Sequence, residues 1–136
     1  MAATVLFIED EPVRMSPFAT ALEDAGYEVV MATSAGEALA FARVHGGECR
    51  VLIVDIMIPT GTEDAIGIDP WRAGLWALGE IRKVPGLAEV PAIVLSAVPE
   101  QRVIADMKGL SVAEYLEKPV SLDRLVTAVN KASLKG

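Results

Sequence analysis

With 136 residues and 52% apolar side chains, the chain is long enough to bury one core without staples and too apolar to be disordered. Nineteen acidic side chains against twelve basic ones leave a formal charge of −7, which argues against nucleic acid as a direct partner. No apolar run approaches the ~18 residues that a membrane span needs, and MAATVLFIEDEP at the N-terminus lacks the basic stretch of a signal peptide. Cys49 is the single cysteine, so no intrachain disulfide can form and a reducing cytoplasm is the expected compartment. The expectation is one domain over residues 1–136.

Val5-Leu6-Phe7-Ile8 is a continuous apolar run ending in Glu9, Asp10 and Glu11. Pro12 suits the first turn of a helix, Phe18, Leu22 and Ala25 recur at helical spacing, and Gly26 suits its stop. Glu28 to Met31 reads as a short strand. Ser34 to Glu37 fits a capping box for a helix carrying Ala38, Leu39, Phe41 and Ala42, which ends before Gly46-Gly47. Val51-Leu52-Ile53-Val54 reads as a strand buried on both faces, and it stops at Asp55. Beyond Pro59 an irregular stretch leads to Asp69-Pro70, a suitable helix start, with Trp71, Leu75, Leu78 and Arg82 on one face. Ala92 to Leu95 is another buried strand and ends at Ser96. Residues 99–108 read as helical, with Val103, Ile104 and Met107 inward. Ala113 to Leu116 is a last strand before Glu117-Lys118-Pro119, and Ser121 caps a final helix bearing Leu122, Leu125, Val126 and Val129.

Five strands alternating with five helices predict an α/β fold with a parallel sheet covered on both faces. The doubly wound, flavodoxin-like order 2-1-3-4-5 is expected, which makes strands one and three neighbours at the switch point. Glu9, Asp10 and Asp55 then meet in one crevice at the carboxyl ends of the strands. A like-charged pair about 4 Å apart costs about 4 kcal/mol at an effective dielectric of ~20. Either one carboxyl takes up a proton or a cation sits among them. An all-oxygen site suits Mg²⁺, and the lack of His or Cys nearby weakens any case for zinc. Ser96 and Lys118 end two further strands on the same edge. A carboxylate nucleophile, a hard metal, a hydroxyl and a lysine are what phosphoryl transfer to Asp requires.

IEDEP, VLIVDIMIP, PAIVLSA and EYLEKP resemble, in order, the signature segments of the receiver domain of bacterial two-component response regulators, the CheY-like superfamily. The resemblance covers essentially the whole chain. It implies that Asp55 is the phosphoacceptor, that Glu9 and Asp10 are the acidic metal pair, and that Met57 lends a backbone carbonyl to Mg²⁺. It implies Ser96 as switch hydroxyl, Lys118 as phosphate-binding lysine and Tyr115 as switch aromatic. It allows a cis bond before Pro119. The implied role is a phosphorylation-dependent switch, not an enzyme beyond assisting its own phosphorylation and dephosphorylation. Its implied partners are a sensor histidine kinase or phosphotransfer protein and a downstream protein, the latter through the face of helix four, strand five and helix five; a homodimer is left open. With no output domain after Gly136, the sequence reads as a stand-alone receiver unless it is a fragment of a longer chain.

Three features depart from the pattern. Glu stands at position 9 where Asp is usual. Residues 60–72 form an insertion beside Asp55, expected to lid the site or serve a partner. Met57 and Val98 occupy positions that often orient the hydrolytic water, so their apolar side chains predict a long-lived phosphoaspartate, while the small Ala97 leaves the acceptor open to a donor. Each residue alone has a plainer role: strand-end acids cap loops, Glu9-Asp10 can lead a helix, a lysine is usually solvated and a strand tyrosine usually packs. His45, before two glycines, is expected to be a surface residue at a helix end. Trp71 is expected to anchor the insertion with Ile66 and Ile68, and Trp76 lies off that face. An alternative function is a phosphorylation-independent interaction module. A phosphatase of the aspartyl-phosphate type would want an acid where Met57 stands.

Overall fold

The computed structural model describes residues 3–63, 67–69 and 72–134. Five parallel strands, β1 (Thr4–Ile8), β2 (Glu28–Ala32), β3 (Cys49–Val54), β4 (Ala92–Ser96) and β5 (Val112–Glu117), form one sheet in the order β2-β1-β3-β4-β5. The expected flavodoxin-like α/β architecture is therefore the observed one. Alternation along the strands divides the core in two. Leu6, Ile8, Leu52 and Val54 point to one face, where α2 (Ala35–His45) and α3 (Ala73–Ile81) cover them. Val5, Phe7, Val51 and Ile53 point to the other, under α1 (Pro12–Asp24) and α4 (Leu122–Ser133). Burial on both faces explains why these strands are continuous apolar runs and not alternating ones.

Local chemistry sets most element ends. Pro12 opens α1, and Gly26, just past its end, takes a φ of +102° that a side chain would strain. Ser34 Oγ accepts from Glu37 N (3.1 Å), while the Glu37 carboxylate reaches Thr33 N (2.9 Å), one residue earlier than in a strict capping box. Ser121 Oγ accepts from Arg124 N (3.1 Å) to start α4. Cys49 is buried at the start of β3, and burial, with the Glu48 charge, pushes its thiol up to about 11. His45 is exposed and bonded to Glu48 (2.7 Å) at the end of α2, as expected of a surface histidine.

Two expected helices differ. α3 begins at Ala73, not at Asp69; the Asp69 carbonyl accepts from Arg72 N (2.9 Å). Pro70, Trp71 and Ile66 lie outside the described residues, so the anchoring expected of Trp71 concerns a part not described. Ile68 is half-buried beside Leu75 and Trp76 along a groove of about 550 Å³, and Trp76 packs against the α2–α3 side of the core. The second difference lies between β4 and β5, where the described backbone forms no α-helix. A 3₁₀ turn at Glu100–Arg102 is followed by further turns to Gly109. The expected helix-four face is thus a surface of turns. Val103 and Met107 are inward as expected, in a cluster with Ile56, Leu75, Val94 and Val98, but Ile104 is 56% exposed.

Arg82, expected to share the Leu75–Leu78 face, ends α3 differently. Its guanidinium donates to the carbonyls of Leu87 (2.9 Å), Leu110 (2.9 Å), Ser111 (3.1 Å) and Val90. Burial lowers its pKa. The cation ties the end of α3 to the chain entering β4 and to the chain entering β5.

Candidate phosphoacceptor site

Glu9, Asp55 and Lys118 each stand one residue past a strand, and the backbone N–H of each is fixed by the neighbouring strand. Glu9 N donates to the carbonyl of Ala32, the last residue of β2 (2.9 Å). Asp55 N donates to Ile8, the last of β1 (3.0 Å), and Lys118 N donates to Ser96, the last of β4 (2.8 Å). The sheet's register therefore sets where these side chains begin, which is why strand-end spacing in the sequence was informative. On the other side, Gly74 at the start of α3 lies against β3. Its N–H donates to Ile56 O (2.9 Å), and a Cβ there would stand 1.9 Å from the Asp55 carbonyl oxygen. Only glycine lets the helix start this close to the Asp55 backbone.

Glu9, Asp10 and Asp55 each present a carboxylate oxygen within 4.8 Å of the others. Glu9 and Asp55 are buried, 2% and 6% exposed, and Asp10 is exposed. Lys118 Nζ reaches Asp55 Oδ2 at 2.9 Å and Glu9 Oε2 at 3.2 Å. Asp55 Oδ1 accepts from Met57 N (3.1 Å). Burial first, then the hydrogen bond and charge of Asp55, push Glu9 up to about 8, and Lys118 offsets only part of this. Burial also works against the Lys118 ammonium, but hydrogen bonding and charge from Asp55 and Glu9 outweigh it and raise its pKa. The crevice thus holds more negative charge than one lysine balances. An all-carboxylate, partly open donor set with an excess of negative charge fits a hard divalent cation.

Ser96 is buried, and its Oγ accepts from Val98 N (3.1 Å). The Tyr115 hydroxyl donates to the Val98 carbonyl. Burial raises the Tyr115 pKa; a hydrogen bond from Ser96 opposes this, and Glu117, Glu100 and Asp55 add to it. The Val98 side chain is buried in the small cluster with Ile56 and Met107, whereas Met57 is 41% exposed. The Lys118–Pro119 bond is cis. The structure brings Glu9, Asp10, Asp55 and Lys118 together, and joins Ser96 to Tyr115 through the Val98 backbone. Three contributors went unread in the sequence: Gly74 as the close approach, Arg82 as the carbonyl clamp, and Glu117, whose carboxylate accepts from Glu100 N (3.2 Å). The first had a signal in the AGL triplet that opens α3. The other two depend on contacts distant in sequence and had none.

The near part of the insertion is anchored at α2. Ala35 N and Gly36 N, in the first turn, donate to the carbonyls of Pro59 (3.0 Å) and Thr60 (2.7 Å). Gly61, at a φ of +62°, passes so close that a Cβ would meet Ser34 Oγ at 2.5 Å. Backbone oxygens of the loop thus satisfy donors that a helix start leaves open.

The site is thus an acid triad and a lysine at the switch-point edge of a doubly wound sheet. The model of the response regulator receiver domain family matches residues 5–130, and the chain belongs to that family. It is 29% identical to the sensor kinase CckA of Brucella abortus over 96% of this chain, and it spans only 12% of that kinase's length. A receiver domain from Clostridium thermocellum superposes with a TM-score of 0.79 at 28% identity, over 98% of this chain and 95% of that one. The receiver domain of a Pseudomonas aeruginosa sensor histidine kinase, solved with magnesium in its active-site cleft, superposes with a TM-score of 0.77 at 22% identity, over 98% of each chain. This protein is accordingly a receiver domain of two-component signalling. No helix among the described residues is long and apolar enough to cross a membrane.

Proposed function

We propose that the domain is a phosphorylation-dependent switch that accepts a phosphoryl group on Asp55 from a histidine kinase or phosphotransfer protein. The observation carrying this reading is the convergence of Glu9, Asp10 and Asp55 within 4.8 Å, with Lys118 Nζ 2.9 Å from Asp55. Glu9, Asp10, Asp55 and the Met57 carbonyl would hold Mg²⁺, as the family resemblance and the magnesium-bound relative support. Bound there, the ion supplies positive charge to the phosphoryl oxygens.

The chain's own residues do the rest. An Asp55 oxygen forms a bond to phosphorus while the donor's P–N bond breaks; the imidazole leaves with the electron pair and takes a proton from solvent. Strand-end hydrogen bonds hold the Asp55 backbone, so little is spent on orienting the nucleophile. Lys118 can turn from the carboxylate pair to the added phosphoryl oxygens. Ser96 Oγ, which now accepts from Val98 N, can donate to the same group, which draws residues 97–98 toward Asp55. Tyr115 follows, because its hydroxyl is bonded to Val98. The result is a population shift between two packings of the edge formed by residues 97–110, β5 and α4, which a downstream protein reads by contact.

Incubation with Mg²⁺ and acetyl phosphate, followed by intact mass measurement, tests this. One phosphoryl group is expected on the wild type and none on Asp55→Asn; no gain under any donor leaves a phosphorylation-independent interaction module. With Met57 and Val98 apolar, the label is expected to outlast a minute in purified protein. Loss within that time overturns the expectation of slow hydrolysis.

A further inference from the structure

Glu9 and Met57, both proposed above to hold Mg²⁺, are tied to one short turn, the entry into α2. Glu9 N donates to the carbonyl of Ala32 (2.9 Å), just before the N-cap Ser34. Met57 is held on either side. Its N–H donates to Asp55 Oδ1 (3.1 Å), and the residues after it are fastened to α2. The Ile58 side chain is buried with Ala35 and Ala38. The carbonyls of Pro59 and Thr60 accept from Ala35 N (3.0 Å) and Gly36 N (2.7 Å). Gly36 is what lets the loop lie so close. A Cβ at that position would stand 2.4 Å from the Gly61 carbonyl oxygen and 3.0 Å from Thr62 Cβ. A backbone oxygen cannot swing aside as the end of a long side chain can. Alanine forms helix better than glycine, so α2 on its own has no need of glycine here. The docked loop does.

We infer that residues 32–36 are a positioning element for the cation site, with Gly36 the positioning residue that lets the loop after Asp55 dock and so sets the affinity for a divalent cation. The inference deepens the proposed function and rests on its metal ligands, not on its phosphoryl transfer. Groups that orient ligands without touching the metal govern affinity because a carbonyl or carboxylate must already point inward when the ion arrives. The coupling is reciprocal. If docking of the loop favours the cation, the cation favours docking by the same factor. Ala35 N and Gly36 N make this visible, because the first N–H groups of a helix have no partner within the helix. Their protection against exchange reports the docked loop and not the helix itself.

Calorimetric titration of the full chain with MgCl₂, and amide exchange read by NMR, test it without a phosphodonor. Gly36→Ala, checked as folded by circular dichroism, should raise the Mg²⁺ Kd about tenfold. Its phosphoryl uptake from acetyl phosphate should recover at saturating Mg²⁺. Glu37→Ala is the control. It removes the bond to Thr33 N and should lower the urea midpoint, yet it leaves the loop's own bonds in place and should leave the Kd unchanged. In the wild type, bound Mg²⁺ should slow exchange at Ala35 and Gly36 by about the factor that Gly36→Ala costs in Kd. An unchanged Kd in Gly36→Ala, or an equal rise in Glu37→Ala, overturns the inference. Unchanged exchange at Ala35 and Gly36 with Mg²⁺ bound also overturns it, and this decides the matter if Gly36→Ala does not fold. A wild type that binds no Mg²⁺ overturns it as well. The expected Kd and exchange shifts without any phosphoryl uptake would uphold the inference and remove the proposed function.

Discussion

The two sides of the crevice are built on different terms. On the Asp55 side, backbone amides of Glu9 and Asp55 are bonded into neighbouring strands, and Gly74 brings α3 into direct contact with the Asp55 carbonyl. On the Ser96 side, the chain leaves β4 into turns that are tied at a few points by side chains: Tyr115, Glu117, Arg72 and Arg82. Under the proposed function, the nucleophile would benefit from a backbone that cannot shift and the reporting segment from one that can, and the two would be separated within one edge of the sheet.

The contrast is most severely tested by Gly74→Ala. Its Cβ would overlap the Asp55 carbonyl, and backbone cannot yield there. A loss of about 3 kcal/mol in urea unfolding is expected, together with loss of phosphoryl uptake. Unchanged uptake would mean that α3 can withdraw without disturbing Asp55. Arg82→Met comes next. It leaves several carbonyls without their charged donor and should cost about 2 kcal/mol, yet leave phosphoryl uptake at Asp55 intact. Equal damage to uptake would show that the two sides are not separate.

Acidity sharpens the picture on the fixed side. Glu9 is raised from 4.5 to about 8, so between those values the folded state binds more protons than the unfolded chain. Stability of the metal-free protein is then full below about pH 4.5 as far as this group is concerned, and falls as pH rises toward 8. Denaturant midpoints across that window should decline in the wild type and decline less in Glu9→Gln, and saturating Mg²⁺ should flatten the wild-type slope. The smallest effect is expected at Arg72→Ala. Its partner Asp106 is reached across a solvent-exposed 3.6 Å, and the loss should stay within about 0.5 kcal/mol by the same unfolding measurement.

The parts legible in the sequence share one property: local pattern and strand register determine them. Apolar runs such as VLIV mark strands covered on both faces, and the residue after each run, Glu9, Asp55 or Lys118, falls at the common edge because parallel strands align their ends. Ser34 and Ser121 cap the helices they were expected to cap. What could not be read depends on partners far along the chain. Arg82 looks like any residue at a helix end until the Leu110 and Ser111 carbonyls arrive beside it. Residues 100–108 have the periodicity and composition of a helix, yet Arg102, Val103, Asp106 and Lys108 bond back only three residues, and the sequence says nothing of the contacts at Val98 and Asp106. The start of α3 was misplaced for a related reason. Asp69-Pro70 is a sound local signal, but Gly74 against Asp55 decides where the helix can begin.

The fastening of Pro59 and Thr60 to the first turn of α2 has a consequence for variation. Thr60 is secured on one side and Gly74 on the other, so groups outside the intervening stretch set where its ends lie. Closing such a loop grows costlier only with the logarithm of its length, about 0.6 kcal/mol per doubling. By this term alone a longer loop would cost little, while the Asp55 backbone stays held by its own strand-end bond.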